Sequence, residues 1–449
     1  MRTRARFALL LLLLPLSLFA LDRQSPADYH NRRIRLSGAL NQGIALVFAA
    51  DEPLTDFNPF RQDSDFYYLT GWNEPGAALL VVSPNIGDDL HSARSYREVL
   101  FLPTRNLRAE RFTGAKLDAA SPDAPKITGV DEVRPLTDLP AVLGTLLKSD
   151  RYLWNSLWSQ PDNAHARALA AWTSTTLGAE SSPGLLNITD LTSALRSIKE
   201  PAELDLLHKA GDASVKAQLA MIAAIHPGMT ERAAAGIIIA NLMANGCERP
   251  SYASIVGSGP NSTILHYSEN SRTMQAGDVL LVDAAGEYSM YASDITRTMP
   301  VNGHFTARQR EVYDIVLGAQ TAAMNAFAAG RSHINDPEHR YPDSLDTIAF
   351  NYMNAHGKDL QGDGLGKYFI HGIGHLVGID VHDRWDYTKP IEKGMVFTIE
   401  PGIYLPDEKL GVRIEDDYYV KQDGTLECLT CALPKTAEAI EGLLHAAGK

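Results

Sequence analysis

The sequence predicts an α/β (α+β) chain built as two domains, and three observations carry that prediction. Across residues 26–185, short apolar runs bounded by turn residues alternate with helix-like stretches, which is how the buried strands of an α/β domain read. From Pro201 onward, apolar residues fall at three- and four-residue spacing, the mark of a helix with one apolar face. Beyond it, two strand–turn–strand segments each end an apolar run on a carboxylate and place a second carboxylate on the returning strand.

The elements follow in chain order. Arg2, Arg4 and Arg6 precede an apolar run from Phe7 to Phe19 that ends at Ala20. A basic start, a short apolar stretch and a small terminal residue predict a secretory signal peptide over residues 1–20. The run is short for a membrane-spanning helix, and the alternative is an uncleaved anchor. The expectation is an exported protein, periplasmic or secreted, with no stable membrane insertion. Apolar runs at 45–49, 78–82 and 98–102 predict strands. A loop-rich stretch at 181–185 leads to a domain boundary near 185–200, so that the domains span 26–185 and 190–445.

In the second domain, Leu204, Leu207, Gly211, Val215, Leu219 and Ile222 define the apolar face of a long helix, which Pro227 and Gly228 end. Thr230 is placed to cap a second helix that stops at Gly246. A further helix is expected over about 343–356. The pattern of helix followed by acidic hairpin then occurs twice, without residue-by-residue identity, and predicts a pseudo-twofold arrangement.

The chain is long enough for two domains, and 45% apolar and 21% charged residues describe an ordinary globular protein. A net charge of −13 argues against nucleic-acid or anionic-membrane partners. Self-association is left open. Of the cysteines Cys247, Cys428 and Cys431, the last two are close enough to close a local disulfide in an oxidising compartment. Asn187 and Asn261 begin glycosylation sequons, which matter only in a eukaryotic secretory route.

The chemistry concentrates in the second domain. Asp283 and Asp294 flank a turn expected around Gly286, and Glu400 and Glu415 repeat the arrangement. Taken alone, an Asp pair reads as a turn cap and a solvated side chain. The repetition, with His375 between the pairs, favours function. A buried carboxylate must be paired or bind a cation, and two divalent cations would neutralise four carboxylates. The set reads as a two-metal hydrolase centre, and its oxygen-rich donors with one imidazole suit manganese, cobalt, iron or zinc better than copper. His371, His375 and His382 lie in one glycine-rich segment with Asp380, a density that a structural role does not require. His266 follows an apolar run and, taken singly, reads as a core or surface residue. Arg413 lies two residues before Glu415; orienting a metal carboxylate and forming a surface ion pair fit that spacing about equally.

Together these residues resemble the M24 metallopeptidases of the pita-bread fold, and within them the aminopeptidase P family. The matching stretches are Tyr252-Ala-Ser-Ile-Val-Gly-Ser-Gly259, Ile264-Leu-His266-Tyr267, Asp283, Asp294-Ile-Thr-Arg-Thr298, His375 to His382, Glu400-Pro-Gly-Ile-Tyr404 and Gly411 to Asp416. In the first domain, residues 60–71 resemble the family's creatinase-like N-terminal domain. The likeness covers about residues 26–445. It implies that Asp283 holds one metal, that Asp294 and Glu415 bridge both, and that His375 and Glu400 hold the other, with manganese the expected ion. It further implies that a metal-bridging water or hydroxide attacks a Xaa-Pro bond, so that the N-terminal residue leaves Xaa-Pro-Yaa peptides. Glu400 would move the proton, His266 and His382 would bind substrate and the developing oxyanion, His371 would line the pocket, and Tyr404 and Arg413 would support the ligands. One departure is Phe112, where many members carry Trp. Prolidase, a Xaa-Pro dipeptidase, is the competing enzyme. A non-catalytic peptide-binding relative is a third reading, disfavoured by the complete ligand and histidine set. A methionine aminopeptidase would not need the first domain.

Overall fold

The computed structural model describes residues 21–41, 43–53, 60–84, 95–148, 152–156, 162–176, 184–336 and 341–448; the expected signal peptide lies outside them. In the first domain, β1 (Ile44–Phe48), β2 (Ala78–Val82), β3 (Arg97–Leu102), β4 (Glu132–Pro135), β5 (Tyr152–Asn155) and β6 (Gly184–Asn187) form one mixed sheet. Its order is β4-β3-β2-β1-β5-β6. The three runs read as strands are its central members. Alternation decides their packing. Ala45, Val47, Leu79, Val81 and Leu100 face the helices Pro26–Ala39 and Ser64–Thr70. Ile44, Leu46, Leu80, Val99 and Phe101 face the helices Leu139–Leu146 and Ala164–Thr176. Both faces are covered, which is why these strands read as continuous apolar runs. Each fully buried Val, Leu or Ile contributes about 1.5–3 kcal/mol.

A buried ion pair locks the helix Pro26–Ala39 onto this sheet. The Arg33 guanidinium donates to both oxygens of Glu98, at 2.7 and 2.9 Å, and to the carbonyls of Leu69 and Gly129. Both side chains are fully buried.

The second domain contains two similar halves. The first has the helices Pro201–Ala224 and Glu231–Ala244, then β7 (Arg249–Pro250), β8 (Ile255–Ser258), β9 (Val279–Asp283), β10 (Gly286–Tyr288), β11 (Tyr291–Ala292) and β12 (Thr296–Pro300). The second has the helices Ala307–Ala326 and Leu345–His356, then β13 (Val396–Ile399), β14 (Gly402–Leu405), β15 (Leu410–Arg413), β16 (Asp416–Val420) and β17 (Leu426–Cys428). Ala307–Ala326 was not anticipated from sequence, although Thr306 and Gln309 form a capping box at its start.

In each half a long antiparallel ladder breaks once. β9 pairs with β12, and the hairpin β10–β11 prolongs that ladder. β13 pairs with β16, and the hairpin β14–β15 prolongs it in the same way. Asp283 and Asp294 flank one break, Glu400 and Glu415 the other. The expected turn at Gly286 is displaced: the chain reverses at Ser289 and Met290, both with positive φ (48° and 73°), as a two-residue hairpin turn requires. Gly286 is instead needed inside β10, where a Cβ would collide with Cys247 and Leu242. Asp283 also pairs with Thr296 rather than with Asp294, because the ladder break displaces Asp294 from the rung.

One amide from each long helix fills each break. Gln218 Nε2 donates to the carbonyls of Ala284 and Ile295, at 3.1 and 3.4 Å. Gln320 Nε2 donates to the carbonyls of Ile399 and Ile414, at 3.0 and 3.3 Å. The two glutamines are a residue-level trace of the pseudo-twofold repeat. Beyond β16, Cys428 and Cys431 are joined by a disulfide.

The Arg33–Glu98 pair predicts a pH-dependent stability. Burial alone would raise the Glu98 pKa, but Arg33 holds it below its ordinary 4.5. A depressed carboxylate stabilises the fold above the unfolded pKa and loses that contribution as pH falls through the lower, folded value. Glu98→Gln should therefore cost about 3–5 kcal/mol at neutral pH by leaving Arg33 buried and unpaired. Denaturation of both proteins against pH should show the difference shrinking below about pH 4.

Candidate metal centre

The two ladder breaks face each other and aim four carboxylates into one cavity of about 300 Å³. His266, Asp283, Asp294, His371, His375, His382, Glu400, Arg413 and Glu415, all singled out from sequence, line it. Tyr404 stands behind them, its hydroxyl 2.8 Å from His371 Nε2 and 2.7 Å from Arg413 Nη1. Arg413 is buried and its Nη2 lies 2.6 Å from Asp283 Oδ2, so the surface-pair alternative does not hold. Its Nε donates to Thr296, which donates to Glu415 Oε2 at 2.6 Å.

His375 is oriented by its backbone. Its Nδ1 lies 3.1 Å from the Leu376 carbonyl, which leaves Nε2 facing Asp294 and Glu400 at 3.4 and 3.5 Å. His382 packs its ring 4.1 Å from that of His375. His266 lies exposed at the cavity mouth.

Charge crowding dominates the electrostatics. Burial, then the neighbouring carboxylates Asp294, Glu400 and Asp283, push Glu415 far above the ordinary carboxylate range. Burial raises Glu400 to about 7 although His375 and Arg413 oppose it. Asp283 is raised by burial against the pull of Arg413. Asp294 departs from this pattern: burial is outweighed by His375 and Tyr252, and its pKa falls. Burial works against charge on His375, yet Asp294 and Glu400 lift it to about 9. Burial and then Arg413 depress His371 to about 3, and burial and then His375 lower His382.

The donor set fits a pair of divalent cations. Asp283, Asp294 and Glu415 bring ligand atoms within 4.8 Å of one another, and so do His375, Glu400 and Glu415. The two triads share Glu415. Asp294, His375 and His382 form a third such group, which puts His382 within ligand reach as well. Oxygen-rich donors with one imidazole suit hard to borderline ions, whose positive charge would relieve the crowding.

Several residues around the site were not assigned roles from sequence. Tyr252 donates from its hydroxyl toward Asp283 and Asp294, at 2.5 and 2.6 Å. Ser293 and the Asp294 amide donate to Asp417, at 2.7 and 3.0 Å. Arg297 and Lys435 pair with Asp416, at 2.7 and 2.9 Å. Tyr252 lies within a family-like stretch and Asp416 and Asp417 adjoin a ligand, so proximity to the motifs was the available signal. Phe112 is exposed and lines a separate cleft in the first domain with Phe60 and Glu74.

Fold and site together define a metallopeptidase of the pita-bread class. Residues 205–422 match metallopeptidase family M24, and residues 29–154 match the aminopeptidase P N-terminal domain. The Xaa-Pro aminopeptidase of Escherichia coli is 34% identical over 95% of this chain and 99% of its own. Human Xaa-Pro aminopeptidase 3 is 32% identical over 85% of this chain and 76% of its own. Aminopeptidase P from E. coli with the inhibitor Pro-Leu superposes with a TM-score of 0.81 at 32% identity, covering 95% of this chain and 99% of that one. A zinc-substituted form of the E. coli enzyme, in complex with product, gives 0.82 at 33% identity over 95% and 100%. The chain belongs to the aminopeptidase P family of M24 metallopeptidases.

Asp294→Asn and Glu415→Gln should each lower metal content and abolish turnover while leaving the fold largely intact. Elemental analysis beside circular dichroism checks this; full activity in thoroughly metal-free protein would contradict the assignment.

Proposed function

We propose that the protein is a dinuclear metal-dependent aminopeptidase that releases the N-terminal residue from Xaa-Pro-Yaa peptides. The observation that carries this reading is the pair of donor triads sharing Glu415 at the base of a cavity flanked by three histidines. Asp283, Asp294, His375, Glu400 and Glu415 would hold two divalent ions, with manganese the proposed native metal. When bound, such ions supply Lewis acidity that eases deprotonation of water and polarises the scissile carbonyl.

The chain's own groups do the rest. Glu400 lies where it can accept the proton from the attacking water and return it to the departing proline nitrogen. His266 and His382 present imidazoles toward the substrate and the oxyanion that forms on its carbonyl oxygen. His371 is kept neutral by burial and by Arg413, and its link to Tyr404 steadies the wall of the pocket. Arg413, Thr296 and Tyr252 hold the ligand carboxylates in place. A Xaa-Pro bond has no N–H and carries a fixed ring. Enzymes that bind substrate as an extended strand lose a hydrogen bond there, whereas a site that grips the free N-terminus does not need it.

The oligopeptide reading draws on the E. coli relative, which has been seen with Pro-Leu, the dipeptide left when a residue is removed from Xaa-Pro-Leu. With added manganese, the protein should cleave Xaa-Pro-Yaa and act far more slowly when alanine replaces proline. Hydrolysis confined to Xaa-Pro dipeptides would overturn this in favour of prolidase. His266→Ala and His382→Ala should retain both metals yet lose roughly a hundred- to a thousandfold in rate; loss of metal would identify a misassigned ligand. Export is proposed as well, supported by the basic and apolar pattern of residues 1–20. Mass spectrometry of the mature protein should find a start at Leu21, and an intact N-terminus would refute cleavage.

A further inference from the structure

His382 sits on a loop, residues 376–383, without regular secondary structure. A bridge between Leu376 and Asp383 closes it, with the Asp383 amide donating to the Leu376 carbonyl at 2.8 Å. Among the described residues no hydrogen bond holds the His382 imidazole itself. The ring packs against that of His375 and otherwise follows the backbone of the loop, so what holds the loop helps decide where the imidazole points.

The loop is held from its outer side by the rest of the chain. Arg196, in the last turn of the linking helix Thr189–Ser197, is almost fully buried. Its Nη2 donates to Asp380 at 2.5 Å and also to Asp383, and its Nη1 donates to Asp65 of the first domain at 2.8 Å. Lys199 Nζ donates to the other oxygen of Asp383 at 2.9 Å. From the first domain, Ser64 donates to Asp380 at 2.5 Å, and Arg61 donates to the Ile379 carbonyl at 2.8 Å. Asp380 and Asp383 thus flank His382 in sequence, and one guanidinium grips both. Gly378 allows the grip to close, since a Cβ there would collide with Asp383 and Lys199. The three acids of the cluster, Asp65, Asp380 and Asp383, face Arg196, Lys199 and Arg61, and Arg61 also pairs with Glu287 at 2.7 Å.

We propose that Arg196, braced by Asp65 of the first domain and gripping Asp380, which Ser64 of that domain also holds, is a positioning residue that aims the His382 imidazole at the reacting carbonyl. The first domain then contributes to the chemistry through the 376–383 loop, over and above any part it has in walling the cleft. The proposal rests on the reading of His382 as an oxyanion partner.

Mutant cycles on the full-length, metal-loaded protein test it, with kcat and KM measured on a Xaa-Pro-Yaa peptide and metal content and melting temperature measured alongside. Ser64→Ala is a mild change at a partly exposed residue of the cluster, and Asp65→Asn removes one of the three carboxylates on Arg196 while leaving Asp380 and Asp383 in place; both are chosen because Arg196→Met removes the buried guanidinium altogether and can fail to fold. Each should lower kcat by roughly ten- to a hundredfold, the scale of a small misplacement of a catalytic group, with KM and bound metal unchanged. In the His382→Ala background the same substitutions should cost less than about twofold, since residues acting through one group are not additive. Full additivity in the double variants, unchanged kcat in the single ones, or loss of metal would each overturn the proposal. A fully active His382→Ala would remove the role of His382 itself, and with it the proposal; that outcome is recognised from the single variant alone.

Discussion

The structure of the second domain is organised around one constraint: four carboxylates, three of them buried and Glu400 partly so, crowd at two ladder breaks that face each other. An uncompensated cluster of this kind is costly in a desolvated interior. The surrounding residues are arranged to bear that cost in part. Arg413 takes Asp283, the one hydroxyl proton of Tyr252 lies between the two aspartates, and Thr296 donates to Glu415. Glu415 nevertheless remains far above its ordinary range and Glu400 well above it. The remaining charge is what divalent cations would neutralise.

A ladder break is a suitable place for such ligands. Within a continuous ladder, successive side chains alternate faces, so Asp294, two residues before the Asp283 partner Thr296, keeps the face of that rung. The break interrupts the pairing without changing that parity, and both aspartates line the cavity. The freed carbonyls would be orphaned there, and Gln218 and Gln320 satisfy them.

Much of this was legible in the sequence, and the physical reason is locality. Asp283, Glu400 and Glu415 could be found because apolar runs end on them or beside them, and His371, His375 and His382 because they cluster within a glycine-rich segment. The central strands of the first domain were readable because both of their faces are buried. What could not be read depends on contacts distant in sequence. Gln218 meets Ala284 at a separation of 66 residues and Arg196 meets Asp383 at 187. Tyr252 looks like any aromatic before a strand until the fold brings two aspartates to it. The misplaced turn at Gly286 has a different cause. Glycine signals both a reversal and a close approach, and only tertiary packing against Cys247 and Leu242 separates the two.

The repeat behind the two ladder breaks makes the second domain resemble a symmetric dimer whose halves have been joined into one chain. In such an assembly each half presents the same surface to the other across a twofold axis. The match here is not complete: among the described residues, the donor groups at the site take His375 from one half and only carboxylates from the other. The triad Asp283, Asp294 and Glu415 is therefore oxygen alone, while the triad His375, Glu400 and Glu415 includes an imidazole. The first favours harder ions and the second tolerates softer ones. Similar in their place in the repeat, the two triads differ in donor chemistry, so cations held there would be taken up in order of affinity rather than together.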